Sequence, residues 1–368
     1  MPPDPVDLGQ ARAAVVSVLD AMLAGASTAG LQYLCLRGGK TLLEQVAGQA
    51  DVRLGVPVAP ATTFNIYSIT KPVMAAAVLA LAETGALDLE QPVGDAAGVP
   101  GLEPFGSVRD TLLHRAGFPN PNPLRWVHAA EVHERFQEAA FVQDRVAGLQ
   151  GHKRRLMRAG YSNLGYMVLG LAVARASGMP FDAFIEQQLL SRPQRAAGES
   201  LSFSIPEPSR HAHGSLRRRS LLNLVLGLLI ERSAIVEWAG PRWIQLRLHH
   251  VNGSAYGGLM ANARGLARFG QAVLGQRDGL SPDVRRGLLE VVPGPGPRRS
   301  LGWFAGTLDG LDWLAHAGGG LGYYSELRLY PSLGVVSVLL LNRPGLRDAR
   351  LLDRIDRPLI ASLRAHRH

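Results

Sequence analysis

Hydrophobic and polar positions follow two rhythms along this chain, and the switches between them outline its organisation. Residues 8–23 place Leu8, Ala11, Val15, Val18, Leu19 and Met22 at helical spacing, which predicts an amphipathic helix. Two apolar runs follow, 31–37 and 41–48; Gly38 and Gly39 between them predict a hairpin with a glycine turn. After Phe64-Asn65-Ile66-Tyr67 the pattern predicts a helix from Ser68 to about Thr84, stopped by Gly85. From 87 to 250 the rhythm is mainly helical, at 108–115, 127–149, 162–177 and 180–190. Proline-rich loops interrupt it around Pro119 to Pro123 and across 192–215. A helix at 263–275 precedes four predicted strands, 301–307, 311–316, 324–330 and 334–341, and a final helix covers 346–364. The turns between these strands fall at Asp309-Gly310, at 318–322 and at Pro331 to Gly334.

These elements predict an α+β fold. One antiparallel sheet is built from both ends of the chain and flanked by the N- and C-terminal helices, with an inserted, mostly helical subdomain beside it. The predicted division is discontinuous: 1–86 with 251–368 for the sheet domain, 87–250 for the helical subdomain. A site is expected in the cleft between them. The length of 368 residues suits a core domain with a substantial insertion, and 46% hydrophobic with 19% charged residues is an ordinary globular balance.

A formal charge of +9 raises the question of a polyanionic partner. The arginines are scattered, with short clusters at Arg154, Arg155 and Arg158, at Arg217 to Arg219, and at Arg298 and Arg299, so they read as solvated surface and no nucleic acid is expected. Lysine occurs three times, as Lys40, Lys71 and Lys153. The lone Cys35 cannot form a disulfide within the chain, and the opening residues carry no secretory pattern, which predicts a cytoplasmic location. The longest apolar run, Leu221 to Ile230, falls short of the ~20 residues a membrane-spanning helix needs. The basic apolar segment 217–232 reads as a buried helix, or as an interfacial or lid element able to touch a membrane surface.

Three short stretches carry candidate chemistry. Tyr67-Ser68-Ile69-Thr70-Lys71-Pro72 opens a helix, and a spacing of three places Ser68 and Lys71 on one face, within reach for proton transfer from hydroxyl to amine. The positive end of the helix dipole disfavours an ammonium there. The bland alternative is an N-cap serine followed by an exposed lysine. Tyr161-Ser162-Asn163 opens a second helix and places a phenol where positive charge would tune it; alternatively Tyr161 only caps a core. His316-Ala317-Gly318-Gly319-Gly320 ends a strand, where glycines permit close approach of another backbone or a ligand, or simply make a hairpin turn.

Together the three stretches resemble the serine β-lactamase and D,D-peptidase superfamily, in particular its class C-like, esterase-like branch. Its SxxK signature is similar to Ser68-Ile69-Thr70-Lys71, its YxN signature to Tyr161-Ser162-Asn163, and its KTG or HxG signature to His316-Ala317-Gly318. Leu112-Leu113-His114-Arg115-Ala116-Gly117 and Tyr161 to Gly170 are also similar to the family, and the resemblance extends over roughly residues 10–360. It implies a β-lactamase/transpeptidase-like fold and no cofactor or metal. Ser68 would be the nucleophile, Lys71 and Tyr161 would handle its proton, and Asn163 would orient Lys71 or a substrate amide. The N–H groups of Ser68 and Gly319 would hold an oxyanion, and His316 and Gly318 would face the substrate.

His316 stands where β-lactamases carry the KTG lysine, so recognition of a substrate carboxylate is weakened. The expected substrate is therefore a small-molecule ester, with an amidase, D-amino-acid peptidase or β-lactamase reaction on the same site as alternatives, and a catalytically silent binding protein as another. No G-x-S-x-G elbow or H-E-x-x-H pair is present, and His211 with His213 and His249 with His250 lie in loop-like surroundings that do not suggest a metal site.

Overall fold

Paired left-handed residues in tight turns shape the central sheet, which is described here from a computed structural model covering residues 8–122, 126–149, 160–190, 198–205, 207–220, 235–345 and 350–365. β1 (Gly30–Arg37) and β2 (Lys40–Asp51) join through Gly38 and Gly39, at φ 53° and 83°, and β3 (Val56–Pro57) adds a short edge strand. Two positive φ values in a two-residue loop match the right-handed twist of the strands they connect. The C-terminal part supplies β4 (Arg299–Ser300), β5 (Trp303–Leu308), β6 (Leu311–Gly319), β7 (Tyr324–Tyr330) and β8 (Val335–Leu341). Asp309 and Gly310, at φ 50° and 82°, repeat the same turn between β5 and β6. The strand order is β4-β5-β6-β7-β8-β1-β2-β3, antiparallel throughout, and the two ends of the chain meet where Leu34 lies opposite Val338.

Strand alternation gives the sheet two apolar faces. Leu34, Leu36, Leu327, Leu329, Val336, Val338 and Leu340 point into the larger core, while Leu31, Tyr33, Cys35, Tyr330, Val335 and Leu339 point into a second one. The second core is closed by Val15, Leu19 and Met22 of α1 (Gly9–Ala24). The larger core receives α2 (Thr70–Glu83), α3 (Asn163–Ser177), α4 (Ala263–Val273) and α5 (Pro282–Leu289). α2 is buried nearly all round, as Val73, Met74 and Val78 show at 0% exposure, so each contributes roughly 1.5–3 kcal/mol of burial and together they fix the helix that starts at the candidate site. α6 (Leu352–Ile355) and α7 (Arg357–Ala365) join α1 on the second face.

The stretch 87–250 departs from its mostly helical expectation. It holds short helices at Val93–Ala97, Val108–Leu112, Glu138–Ala147 and Phe181–Ile185 besides α3. It also holds an antiparallel sheet of Ser215–Arg217, Trp243–Leu246 and Val236–Ala239. The helix expected over 127–149 begins instead as a strand, Val127–Ala129, paired with His249–Val251, and continues as a 3-10 turn before Glu138. Pairing with a partner more than a hundred residues away overrides local helical spacing there. His249 and His250 therefore sit in a strand, not a loop. The helix expected at 346–364 is split into α6 and α7, and α5, capped by Ser281, was not anticipated. Most of the segment 217–232, together with Arg154, Arg155 and Arg158, lies outside the described residues. Among the described residues no single helix is long and apolar enough to cross a membrane.

Candidate active site

The chain enters α2 through a strained turn. The helix expected from Ser68 starts as a 3-10 turn, Tyr67–Ile69, with α2 following from Thr70. Tyr67 has φ 45°, a left-handed conformation that costs a bulky residue on the order of 1–3 kcal/mol. Neighbouring groups hold it there. Thr70 Oγ1 donates to the Tyr67 carbonyl at 2.7 Å and accepts from Leu259 N at 3.1 Å, and Ser325 Oγ on β7 donates to the Ile66 carbonyl at 2.8 Å. Ser68 is thus presented, half-buried, in a turn whose first N–H groups have no intrahelical partner.

Lys71 is fully buried at 0% exposure. Its Nζ lies 3.0 Å from Ser68 Oγ, 3.0 Å from Asn163 Oδ1 and 2.8 Å from the Tyr256 carbonyl. The rings of Tyr161, Tyr166 and Tyr256 surround it at 4.9, 5.3 and 5.4 Å from Nζ, which favours a cation. Burial acts the other way and prevails, holding the amine well below the usual lysine range. A neutral amine has two N–H bonds and one lone pair. Asn163 Oδ1 and the Tyr256 carbonyl accept the two N–H bonds, which leaves the lone pair for the Ser68 hydroxyl proton. Tyr161 Oη donates to the same Ser68 Oγ at 2.7 Å.

The start of α3 positions Tyr161 and Asn163. Ser162 caps the helix by accepting from Gly165 N at 3.1 Å and anchors it by donating to the Pro119 carbonyl at 2.7 Å. Asn163 N donates to Asn120 Oδ1 at 3.0 Å. His114 completes the support: its Nδ1 accepts from Ser162 N at 3.2 Å and its ring lies 4.4 Å from that of Tyr161. Burial holds His114 well below the usual histidine range, so it is neutral. Tyr256, His114 and Asn120 were not singled out from sequence as site residues, since one acts through a carbonyl and the others through backbone amides. The stretch Leu112 to Gly117 was the one pointer to His114.

At the end of β6 the glycines serve close backbone approach. A Cβ on Gly318 would come within 1.9 Å of the Ile66 carbonyl, and one on Gly319 within 1.8 Å of the Gly345 carbonyl. Gly318→Ala is expected to destabilise the fold by about 1–3 kcal/mol and to lower activity by pushing Ile66, and with it Ser68, out of place. Thermal unfolding alongside labelling of Ser68 by a fluorophosphonate checks this. His316 is 2% exposed, donates Nδ1–H to the Ala317 carbonyl at 2.8 Å, and sits 6.3 Å from the Tyr161 ring. Burial pushes it down to about 3, so it is neutral where a lysine would be charged.

Ser68, Asn163 and Gly319 line a cavity of about 270 Å³ with Tyr67, Asn122, Val127, Tyr256 and Leu321. Lys71 and Tyr161 lie behind this lining and reach the cavity through Ser68 Oγ, and His316 and Gly318 are likewise not among its lining residues. Among the described residues no group of three or more His, Cys, Asp or Glu side chains is arranged to hold a metal ion.

Known proteins resemble this chain in sequence and in fold. Esterase EstB of Burkholderia gladioli is 29% identical over 226 residues, 56% of this chain and 55% of that enzyme, so the match spans about half of the relative's length. D-amino acid amidase from Ochrobactrum anthropi superposes with a TM-score of 0.73 at 18% identity, covering 97% of this chain and 99% of the other. A class C β-lactamase from Rhodobacter sphaeroides superposes at 0.69 and 19% identity, covering 96% and 99%. These two likenesses establish the fold, which is the β-lactamase/transpeptidase arrangement of an antiparallel sheet with flanking helices. Residues 15–360 match the Beta-lactamase family, and with nearly the whole chain covered the protein belongs to it.

Proposed function

We propose that the protein is a serine hydrolase working through an acyl-enzyme on Ser68, and that its substrates are carboxylic esters with small or medium acyl groups. The observation that carries this reading is the convergence of Lys71 Nζ and Tyr161 Oη on one serine oxygen, at 3.0 and 2.7 Å. Neutral Lys71 takes the Ser68 proton as Oγ bonds to the acyl carbon. The carbonyl oxygen becomes an oxyanion, received by the N–H groups of Ser68 and Gly319. As the carbonyl reforms, the bond to the leaving alkoxide breaks; Tyr161 donates its proton to the alkoxide and regains one from Lys71. Water then attacks the acyl-enzyme with the proton transfers reversed, releasing the acid and restoring Ser68.

Two observations support an ester substrate over a β-lactam or an amide. The relative EstB is an esterase. His316, neutral and buried, offers no charge for the carboxylate that β-lactams carry.

The test is intact-mass spectrometry after exposure to a fluorophosphonate, with p-nitrophenyl esters, a D-amino acid amide and a chromogenic cephalosporin as substrates. Wild type is expected to gain one adduct and to turn over the ester fastest, while Ser68→Ala gains none. Faster turnover of the amide or cephalosporin would move the substrate class and leave Ser68 in place. Equal labelling of both proteins, or of neither, would remove Ser68 from the chemistry and favour a silent binding protein.

A further inference from the structure

Tyr67 keeps a backbone conformation that glycine adopts without strain, and its side chain accounts for the choice. The ring packs against those of Tyr323 and His249, at 6.2 and 6.5 Å between centroids, and against Gly320, where a Cβ would come within 2.4 Å of it. Its Oη has two partners, His249 Nε2 at 2.9 Å and the Leu321 carbonyl at 3.1 Å. His249 Nδ1 lies 2.9 Å from the Arg247 carbonyl, which can only accept, so Nδ1 carries the proton, Nε2 is an acceptor, and the one phenolic proton is shared between Nε2 and the Leu321 carbonyl. Burial pushes His249 down to about 4 and the Tyr67 phenol upward, so both stay neutral near pH 7 and the bond keeps its direction. The same strand holds the turn a second time, since the His249 carbonyl accepts from Asn65 Nδ2 at 3.0 Å.

Tyr67 directly precedes Ser68, and Leu321 follows Gly319 by two residues. One side chain therefore spans the two segments that supply the oxyanion donors, and His249 grips it from a third. We infer that Tyr67 and His249 form a positioning pair that sets the spacing of the Ser68 and Gly319 N–H groups. Neither residue exchanges a proton with substrate. Their effect passes through donors whose alignment matters most in the transition state, so it falls on kcat more than on KM. This role rests on the serine-hydrolase reading above.

The experiment compares Tyr67→Phe, His249→Phe, their double variant and His249→Gln with wild type, after thermal unfolding has shown that each is folded. Each single phenylalanine variant is expected to lose roughly 10–100-fold in kcat on a p-nitrophenyl ester, with KM changed less than about threefold. The double variant should lose no more than the worse single one, because both act through one bond. His249→Gln, whose amide oxygen accepts from Tyr67, should recover part of kcat and serves as the test if His249→Phe does not fold. Unchanged kcat in folded Tyr67→Phe, a loss confined to KM, or additive losses would each overturn the pairing. Fluorophosphonate labelling of wild type separates the two levels: its absence removes the hydrolase reading and this role with it, whereas normal labelling with unchanged kcat in Tyr67→Phe removes the positioning role alone.

Discussion

Ser68→Ala is expected to lower kcat on the order of 10⁶-fold and Lys71→Met on the order of 10²–10⁴-fold, while the double variant is no slower than Ser68→Ala alone. A base without its nucleophile has nothing to activate, so the two losses cannot multiply. Lys71→Arg should be as impaired as Lys71→Met, because a guanidinium stays protonated and has no lone pair to offer. The pH profile carries the same argument. With Lys71 as the proposed base acting as the free amine, kcat/KM should fall as pH drops through its folded pKa, which burial places below the ordinary lysine range. His316, held down to about 3, is neutral above that pH and is not expected to produce this limb. Steady-state kinetics of wild type and His316→Gln check the assignment: an acid limb that vanished in His316→Gln would sink it.

How far the sequence could be read depended on whether a contact is local. Ser68 and Lys71 are three residues apart on one helical entry, and glycine turns at Gly38-Gly39 and Asp309-Gly310 declare their hairpins without help from the rest of the chain. Tyr161 and Asn163 stood out as the opening of a second helix, but that position alone left a core-capping tyrosine open, and their roles came from the family resemblance. Tyr256 was invisible, because Lys71 binds its carbonyl and a carbonyl has no residue type. His249 was noticed for the wrong reason, as half of a histidine pair, since its bond to Tyr67 spans 182 positions. The sheet of 215–217, 236–239 and 243–246 was missed because strands of three or four residues are too short to establish an alternation.

Arg328→Met is expected to cost about 3–5 kcal/mol of stability, the range for removing one partner of a buried ion pair. Arg328 on β7 is 0% exposed, over the Trp313 ring at 4.6 Å, with Nη2 2.7 Å from Glu326 Oε1 and Nη1 bonded to Asp353. Methionine fills a similar volume, so the loss comes from leaving Glu326, 1% exposed, without its cation. Glu326 also accepts from Tyr324 Oη and from Leu352 N at the start of α6, so the unpaired charge sits where the C-terminal helices dock on the sheet. Pairing Arg328→Met with Glu326→Gln removes both charges and keeps an acceptor for Leu352. The double variant should therefore regain much of what the single one loses, although it carries one more substitution. Denaturant unfolding of the three proteins decides between the two sources of the loss: a double variant as unstable as Arg328→Met would mean that packing around the guanidinium is what matters. Ester turnover well below the unfolding transition should be nearly unchanged in either variant. The ion pair lies on the face of β7 opposite Ser325, and Ser325 is the side chain of that strand that reaches the turn carrying Ser68.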